Sequence, residues 1–105
     1  LKEDFDGKMV RKKWKPETAG YMSDLKSMLS QVEPFKADEI EANFKSHLEK
    51  ESLGFGQVLL PFRLALTGSG GGPSMFEFAA FLGLEKTLER LDDGIDIIEN
   101  ILLEE

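Results

Sequence analysis

Residues 84–102, LEKTLERLDDGIDIIENIL, decide the fold class of this chain. Large apolar side chains recur there at spacings of 4, 3, 4, 3 and 4, and charged residues fill many of the positions between them. The apolar positions are Leu84, Leu88, Leu91, Ile95, Ile98 and Leu102. This repeat places one apolar stripe along an α-helix. Because a stripe of this length has to be covered, we expect the helix to pack against the rest of the chain.

Four earlier stretches also follow a helical period. They cover about residues 16–32, 37–51, 53–68 and 73–82. In the third stretch a strand would hold Pro61 in its middle, which favours a helix with Pro61 in its first turn or at a kink. The segment 67–74, TGSGGGPS, predicts a connector, after which Pro73 is suited to open the next helix. The sequence therefore predicts an all-α bundle of about five helices without a strand.

Length and composition describe one domain, residues 1–105. The chain has 41% hydrophobic residues and no cysteine, which fits a single modest core in a reducing compartment. No apolar run approaches the roughly 18 residues needed to cross a membrane, so we expect a cytoplasmic protein without a membrane partner. Because the chain opens at Leu1 rather than methionine, we expect it to be a piece of a longer protein.

Charge is distributed unevenly along the chain. The net charge is −7, yet residues 1–15 carry six basic side chains against three acidic ones. Residues 85–105 carry eight acidic side chains against two basic ones. An acidic domain of this kind does not bind nucleic acid over its whole surface, so any such contact has to be local. The segment 1–15 is the candidate, as a basic arm or a connecting segment.

No arrangement of side chains predicts a self-contained catalytic centre. The glycine segment lacks the lysine of a Walker loop, since Pro73 follows Gly72. His47 and Glu51 supply two ligands, which do not complete a zinc site. The acidic residues between 92 and 96 lie beside the apolar stripe, as expected of a solvated helix face. We therefore expect no catalytic residue, no metal and no cofactor in this chain.

The basic segment has two interpretations. Its cations are Lys8, Arg11, Lys12, Lys13 and Lys15, with Trp14 among them. Positive charge beside an aromatic ring suits a nucleic-acid backbone with one stacked base. The alternative is a charged terminal arm whose Trp14 packs on the core.

Arg63 also has two interpretations. It is the only basic residue between Lys50 and Lys86, and it lies in the most apolar stretch of the chain. A guanidinium in that position either satisfies backbone carbonyls or presents its planar donor fork to a ligand. The residue pattern does not decide between a structural and a binding role.

One known family shares the order and spacing of these motifs. The matching segments are 56–68 GQVLLPFRLALTG, 72–77 GPSMFE and 82–86 LGLEK, followed by Arg90-Leu91. The N-terminal half fits more loosely, through Phe5, Asp6 and Lys8 with Trp14-Lys15. The chain resembles the C-terminal anticodon-binding domain of bacterial-type glutamyl-tRNA synthetase, or glutamate–tRNA ligase, and the resemblance covers most of its length.

The resemblance implies an all-α domain that grips the anticodon of a glutamate-accepting tRNA. A separate catalytic domain upstream in the same chain, which binds ATP and Mg, attaches glutamate to that tRNA. Its signature motifs are absent here, so this chain should be inactive alone, and a monomer is expected. The family's anticodon contacts correspond to Arg63, Gly72, Pro73, Met75 and Phe76, and Lys8–Lys15 would add backbone contacts. A helical protein-interaction module remains the alternative, because a leucine stripe can also dock a partner helix.

Overall fold

The computed structural model describes residues 5–69 and 74–104, which form six α-helices and no strand. They are α1 Gly7–Lys13, α2 Thr18–Leu29, α3 Ala37–Lys50, α4 Phe55–Thr67, α5 Met75–Leu82 and α6 Leu84–Leu103. The all-α prediction is confirmed, but the expected number of five helices is one too few. The additional helix is α1, in the segment interpreted as an arm. Its seven residues include two large apolar ones, Met9 and Val10, so no period can emerge.

Helix α1 is part of the packed fold. Asp6 caps its N-terminus, where Oδ1 accepts a hydrogen bond from the Met9 N–H at 3.1 Å. Val10 and Trp14 are buried and belong to the same apolar cluster as the other five helices. The first turn after Asp6 is therefore fixed by its cap, and the last turn is fixed by burial.

The buried face of α6 is rotated from the predicted stripe. Leu91 and Ile98 are fully buried as predicted, whereas Leu84, Leu88, Ile95 and Leu102 are only half-buried. The buried residues of α6 are Thr87, Leu91, Gly94, Ile98 and Ile101. Two of them, Thr87 and Gly94, are small. Because α6 packs against α1, α2, α4 and α5, its small residues face the closest neighbours, and its large ones fill the sides.

Pro61 lies at the seventh position of α4, in the helix interior, so the first-turn alternative is excluded. A residue with an N–H there would donate to the Gln57 carbonyl, and proline leaves that bond unmade. Helix α4 ends at Gly68, whose φ of +84° favours glycine.

The two ends of α5 are set by local interactions and backbone geometry. The Ser74 side chain accepts a hydrogen bond from the Glu77 N–H at 3.4 Å and caps the helix start at Met75. The predicted opening at Pro73 lies outside the described residues. At the other end Gly83, with φ +86°, is the one residue between α5 and α6. Thr87 is buried and donates from Oγ1 to the Ala79 carbonyl at 3.1 Å, which ties the two helices together.

The acidic residues of α6 form a solvated face, as predicted. Asp92, Asp93 and Asp96 are exposed, and the Lys26 ammonium pairs with the Asp92 carboxylate. Over the ranges 5–69 and 74–104, no helix is long and apolar enough to span a membrane.

Candidate nucleic-acid interface

Arg63 lies on the face of α4 that the core leaves uncovered. Four residues at i, i+4, i+7 and i+11 follow this line, and each is exposed or half-buried: Gly56, Leu60, Arg63 and Thr67. The backbone at Arg63 is held in place, since Thr67 Oγ1 donates to its carbonyl at 2.8 Å. The Arg63 side chain thus begins near the middle of a surface line.

Helix α1 runs antiparallel beside α4. At one end the Asp6 N–H donates to the Gly68 carbonyl at 2.7 Å, just past the end of α4. At the other end Lys13 lines a cavity together with Leu60 and Pro61, in the middle of α4. The structure therefore brings the predicted basic segment alongside the helix that carries Arg63.

Most cations of the basic segment reach solvent. Lys8, Arg11, Lys12 and Lys15 are exposed, and Lys13 is half-buried. Their sum is a local positive surface on a chain whose net charge is −7. Such a surface attracts phosphates over roughly one Debye length, about 8–10 Å at physiological salt.

Trp14 does not belong to that surface. It is 7% exposed and packs in the apolar core, so the interpretation of Trp14 as a core residue is confirmed. So little of the side chain is exposed that it offers no ring face for a base to stack on. Trp14, the aromatic residue of the basic segment, therefore has a structural role, whereas most of the segment's cations face solvent.

Met75 and Phe76 also point largely inward. Their exposed fractions are 2% and 8%. The Phe76 ring lies edge-on to Phe44, with centroids 5.4 Å apart, and Phe44 packs against Phe62 at 5.8 Å. These contacts anchor the start of α5 to α3 and α4. The other two predicted contacts at this corner, Gly72 and Pro73, lie outside the described residues.

Phe55 is a surface aromatic that sequence reasoning missed. It is 42% exposed, and its ring centroid is 6.3 Å from that of Phe76 and 5.8 Å from that of Phe44. One side of the ring is thus packed and the rest faces solvent. The signal that could have found it is its position just after Gly54, in the first turn of a helix whose core face begins at Val58.

Arg90 joins the end of α4 to α5. Its Nε donates to the Leu66 carbonyl at 3.3 Å, and its guanidinium carbon lies 5.3 Å from the Phe78 ring centroid. The hydrogen bond satisfies one of the carbonyls left free at a helix C-terminus, and the ring contact is a cation–π interaction. Arg90 therefore fixes the helix end next to the glycine segment.

Among the described residues, no three His, Cys, Asp or Glu side chains lie close enough together to hold a metal ion. The chemistry of this face is that of hydrogen-bond donors and positive charge beside a partly apolar helix surface. That combination suits an RNA loop, whose unpaired bases and phosphates are both accessible.

Comparison with known proteins first gives the class. Residues 1–95 match the family described as "Anticodon binding domain". The match spans most of the 105 residues, so the chain belongs to this family of anticodon-binding domains. In this member of the family, the basic helix α1 lies beside α4, the helix that carries Arg63.

Similar relatives and a similar solved structure are glutamate–tRNA ligases. Glutamate–tRNA ligase of Christiangramia forsetii is 34% identical over 95 residues, which cover 90% of this chain and 19% of that protein. The ligase of Flavobacterium johnsoniae is 38% identical over 87 residues, covering 83% and 17%. A crystal structure of a glutamate tRNA ligase from Elizabethkingia meningosepticum, in complex with its amino acid, superimposes with a TM-score of 0.83 at 36% identity. The superposition covers 90% of this chain but 18% of that protein. This chain therefore spans about a fifth of the length of such proteins.

Proposed function

We propose that this chain recognises the anticodon of a glutamate-accepting tRNA as the C-terminal region of a glutamate–tRNA ligase. The observation that carries the proposal is the antiparallel packing of the basic helix α1 against α4, within a domain of the anticodon-binding family. This arrangement places the basic helix alongside the helix that carries Arg63. The family membership favours this function over a helical protein-interaction module.

Arg63 is the proposed base-reading residue. A guanidinium offers two parallel N–H donors, which match the acceptor pairs on a base edge or on a phosphate. Anticodon bases are unstacked when a protein binds them, so their edges are accessible to such a fork. We assign the lysines and the arginine of residues 8–15 to the RNA backbone, because ammonium groups follow phosphates without reading sequence.

The start of α5 is proposed as the wall of a base pocket. Met75 and Phe76 support this role by fixing the backbone of that corner through burial. Phe55 adds a partly exposed ring next to Phe76, on which a base could rest. Gly72 and Pro73 stay predicted contacts.

Catalysis belongs to the rest of the proposed ligase. ATP, Mg and glutamate would bind an upstream catalytic domain of the same chain, and this domain would position the tRNA for it. We propose a monomeric cytoplasmic enzyme. The 105 residues alone should not exchange pyrophosphate into ATP, because the proposed ATP and glutamate sites lie in that upstream domain.

Binding to RNA hairpins tests the proposal. The chain is titrated with a hairpin carrying the glutamate anticodon and with a control hairpin whose three anticodon bases are permuted. We expect weak binding because the net charge is −7, and we expect it to weaken further as salt rises. The Kd for the permuted hairpin should be at least roughly tenfold higher than the Kd for the glutamate-anticodon hairpin. Equal affinity for both hairpins would reject anticodon recognition.

A further inference from the structure

A groove between the α1–α2 corner and α4 has a donor set that suits RNA. Its volume is about 330 Å³, and Lys13, Lys15, Tyr21, Gln57 and Leu60 contribute to its walls. This size is at the lower end of small-molecule pockets. The groove adjoins the surface line of α4, since Leu60 belongs to both. It therefore lies next to the proposed anticodon surface.

The orientation of the Gln57 amide is fixed by the helix start. Gln57 Oε1 accepts a hydrogen bond from the Gly54 N–H at 3.1 Å, which closes the capping arrangement of α4. The Nε2 group then points the other way and donates to the Tyr21 hydroxyl at 3.4 Å. The amide thus turns its donor side, and not its carbonyl, toward the groove.

The Tyr21 hydroxyl is consequently left as a donor. Its oxygen accepts from Gln57, and within the described ranges no acceptor takes its own proton. Lys13 and Lys15 add two ammonium groups that form no ion pair with a described carboxylate. Four residues that carry donor groups, two of them charged, therefore line one groove. Glu17 is the acidic residue on its wall.

From this donor set we infer that the groove holds one phosphodiester of the bound RNA loop. A phosphate offers acceptor oxygens and negative charge, which match two cations, a phenol and an amide N–H. Its adjoining nucleoside rests on Leu60 and the open surface at Gly56, where an added Cβ would meet nothing within 4 Å. The inference rests on the proposed function, and it adds Tyr21 and Gln57 to the RNA-binding residues.

Substitutions that remove one donor each test the groove. Lys13→Met and Lys15→Met keep the aliphatic stems, and Tyr21→Phe keeps the ring. Each should raise the Kd for the glutamate-anticodon hairpin roughly three- to tenfold. Each lysine variant should also reduce the slope of log Kd against log salt by about 0.7, the value for one lost contact to single-stranded RNA. Thermal unfolding of every variant confirms that the fold is intact.

For two further variants we expect a lower Kd in one case and an unchanged Kd in the other. Glu17→Gln removes the opposing charge and should lower the Kd two- to fivefold, by about the contribution of one surface charge. Glu17 makes no side-chain cap to α2, so the change leaves that helix start intact. Lys36→Met is the matched control, since Lys36 is exposed before α3, beyond the far end of α2. Its Kd should equal that of the unaltered chain.

Single methylphosphonate linkages in the RNA loop identify the phosphate. Neutralising the phosphate in the groove should weaken RNA binding by the unaltered chain, and the effect should be smaller in a Lys13→Met, Lys15→Met double variant, which keeps only the Tyr21 and Gln57 donors. If Arg63→Ala weakens binding while all groove variants behave like Lys36→Met, the groove inference is wrong and the proposed function stands. If the groove variants lose the same affinity for both hairpins, and the unaltered chain binds both hairpins with the same Kd, the groove inference stands and the proposed anticodon recognition is wrong. A chain that binds neither hairpin overturns both.

Discussion

The carbonyl oxygen of Ala65 occupies the place where a side chain at residue 94 would begin. A Cβ built on Gly94 would lie 1.7 Å from that oxygen and 2.7 Å from the Ala65 carbonyl carbon. Helices α4 and α6 therefore touch backbone to backbone at this point, and Gly94 is fully covered. Any other residue at position 94 has to push the two helices apart, because the opposing atoms are backbone and cannot rotate away.

Gly94→Ala should destabilise the domain by about 2–3 kcal/mol. The substitution overpacks the closest helix contact in the core, and this cost exceeds the gain in helix propensity from replacing glycine. In a domain of this size the melting temperature should fall by roughly 10–20 °C. Thermal unfolding followed by circular dichroism measures the change.

Gly20→Ala is the matched control for that variant. Gly20 is exposed in α2, and an added Cβ there would meet nothing within 4 Å. The same change should therefore stabilise the domain by about 0.5–1 kcal/mol, because alanine restricts the unfolded chain more than glycine does. Similar losses in both variants would contradict the close approach of α4 and α6.

Thr87→Val should cost about 0.5–1.5 kcal/mol of unfolding free energy. The variant keeps the shape of the buried side chain but loses the hydrogen bond from Oγ1 to the Ala79 carbonyl. The cost is modest because that carbonyl also accepts from the Gly83 N–H at 2.9 Å and stays satisfied. Denaturant unfolding gives the value. If Thr87→Ser, which keeps the hydroxyl, is the more damaging of the two, the methyl group and not the bond is what matters here.

The sequence pattern predicted which segments are helices better than which faces they bury. Leucine spacing identified α6, but it could not place Gly94 and Thr87 on the buried line, because their burial depends on how closely α4 approaches. Helix α1 was missed because seven residues are too few to show a period. Its helical state follows from the Asp6 cap and from the burial of Val10, and the burial is a tertiary effect.

Asp6→Ala should loosen the start of α1. The variant removes the acceptor for the Met9 N–H, a loss of about 1 kcal/mol for an N-cap. Amide hydrogen exchange of α1 should speed up several-fold, while the exchange of α6 changes little, because α1 is short and lies at the edge of the fold. Asp6→Asn retains the cap oxygen and should behave like the unaltered chain. Slow exchange in the alanine variant would show that burial alone holds α1.

The candidate interface was predictable in part. Arg63 and the lysines of residues 8–15 could be singled out by charge in unexpected places, but the sequence could not show that α1 packs antiparallel to α4. Tyr21 and Gln57 carry no such signal, since a single tyrosine and a glutamine in helices are unremarkable until the fold places them together. Of the two interpretations that the sequence left open for Trp14, the core position is the one found, because a large apolar ring gains more from burial than from solvent.

Arg63→Ala separates a binding role from a structural one. If the guanidinium reads the anticodon, kcat/KM for tRNA charging by the proposed full-length ligase should fall roughly 10- to 100-fold, as expected when a bidentate contact of about 1–3 kcal/mol is lost. The KM values for ATP and for glutamate should be unchanged, because the proposed catalytic domain binds both. Arg63→Lys keeps the charge but not the planar fork, so it should recover less than half of the lost free energy.

If Arg63 instead ties down backbone carbonyls, the alanine variant should melt several degrees lower, since a loss of ~1–2 kcal/mol shifts the transition by that much in a small domain. A destabilised domain in an enzyme that still charges tRNA normally would assign Arg63 to the fold and leave anticodon reading to other residues.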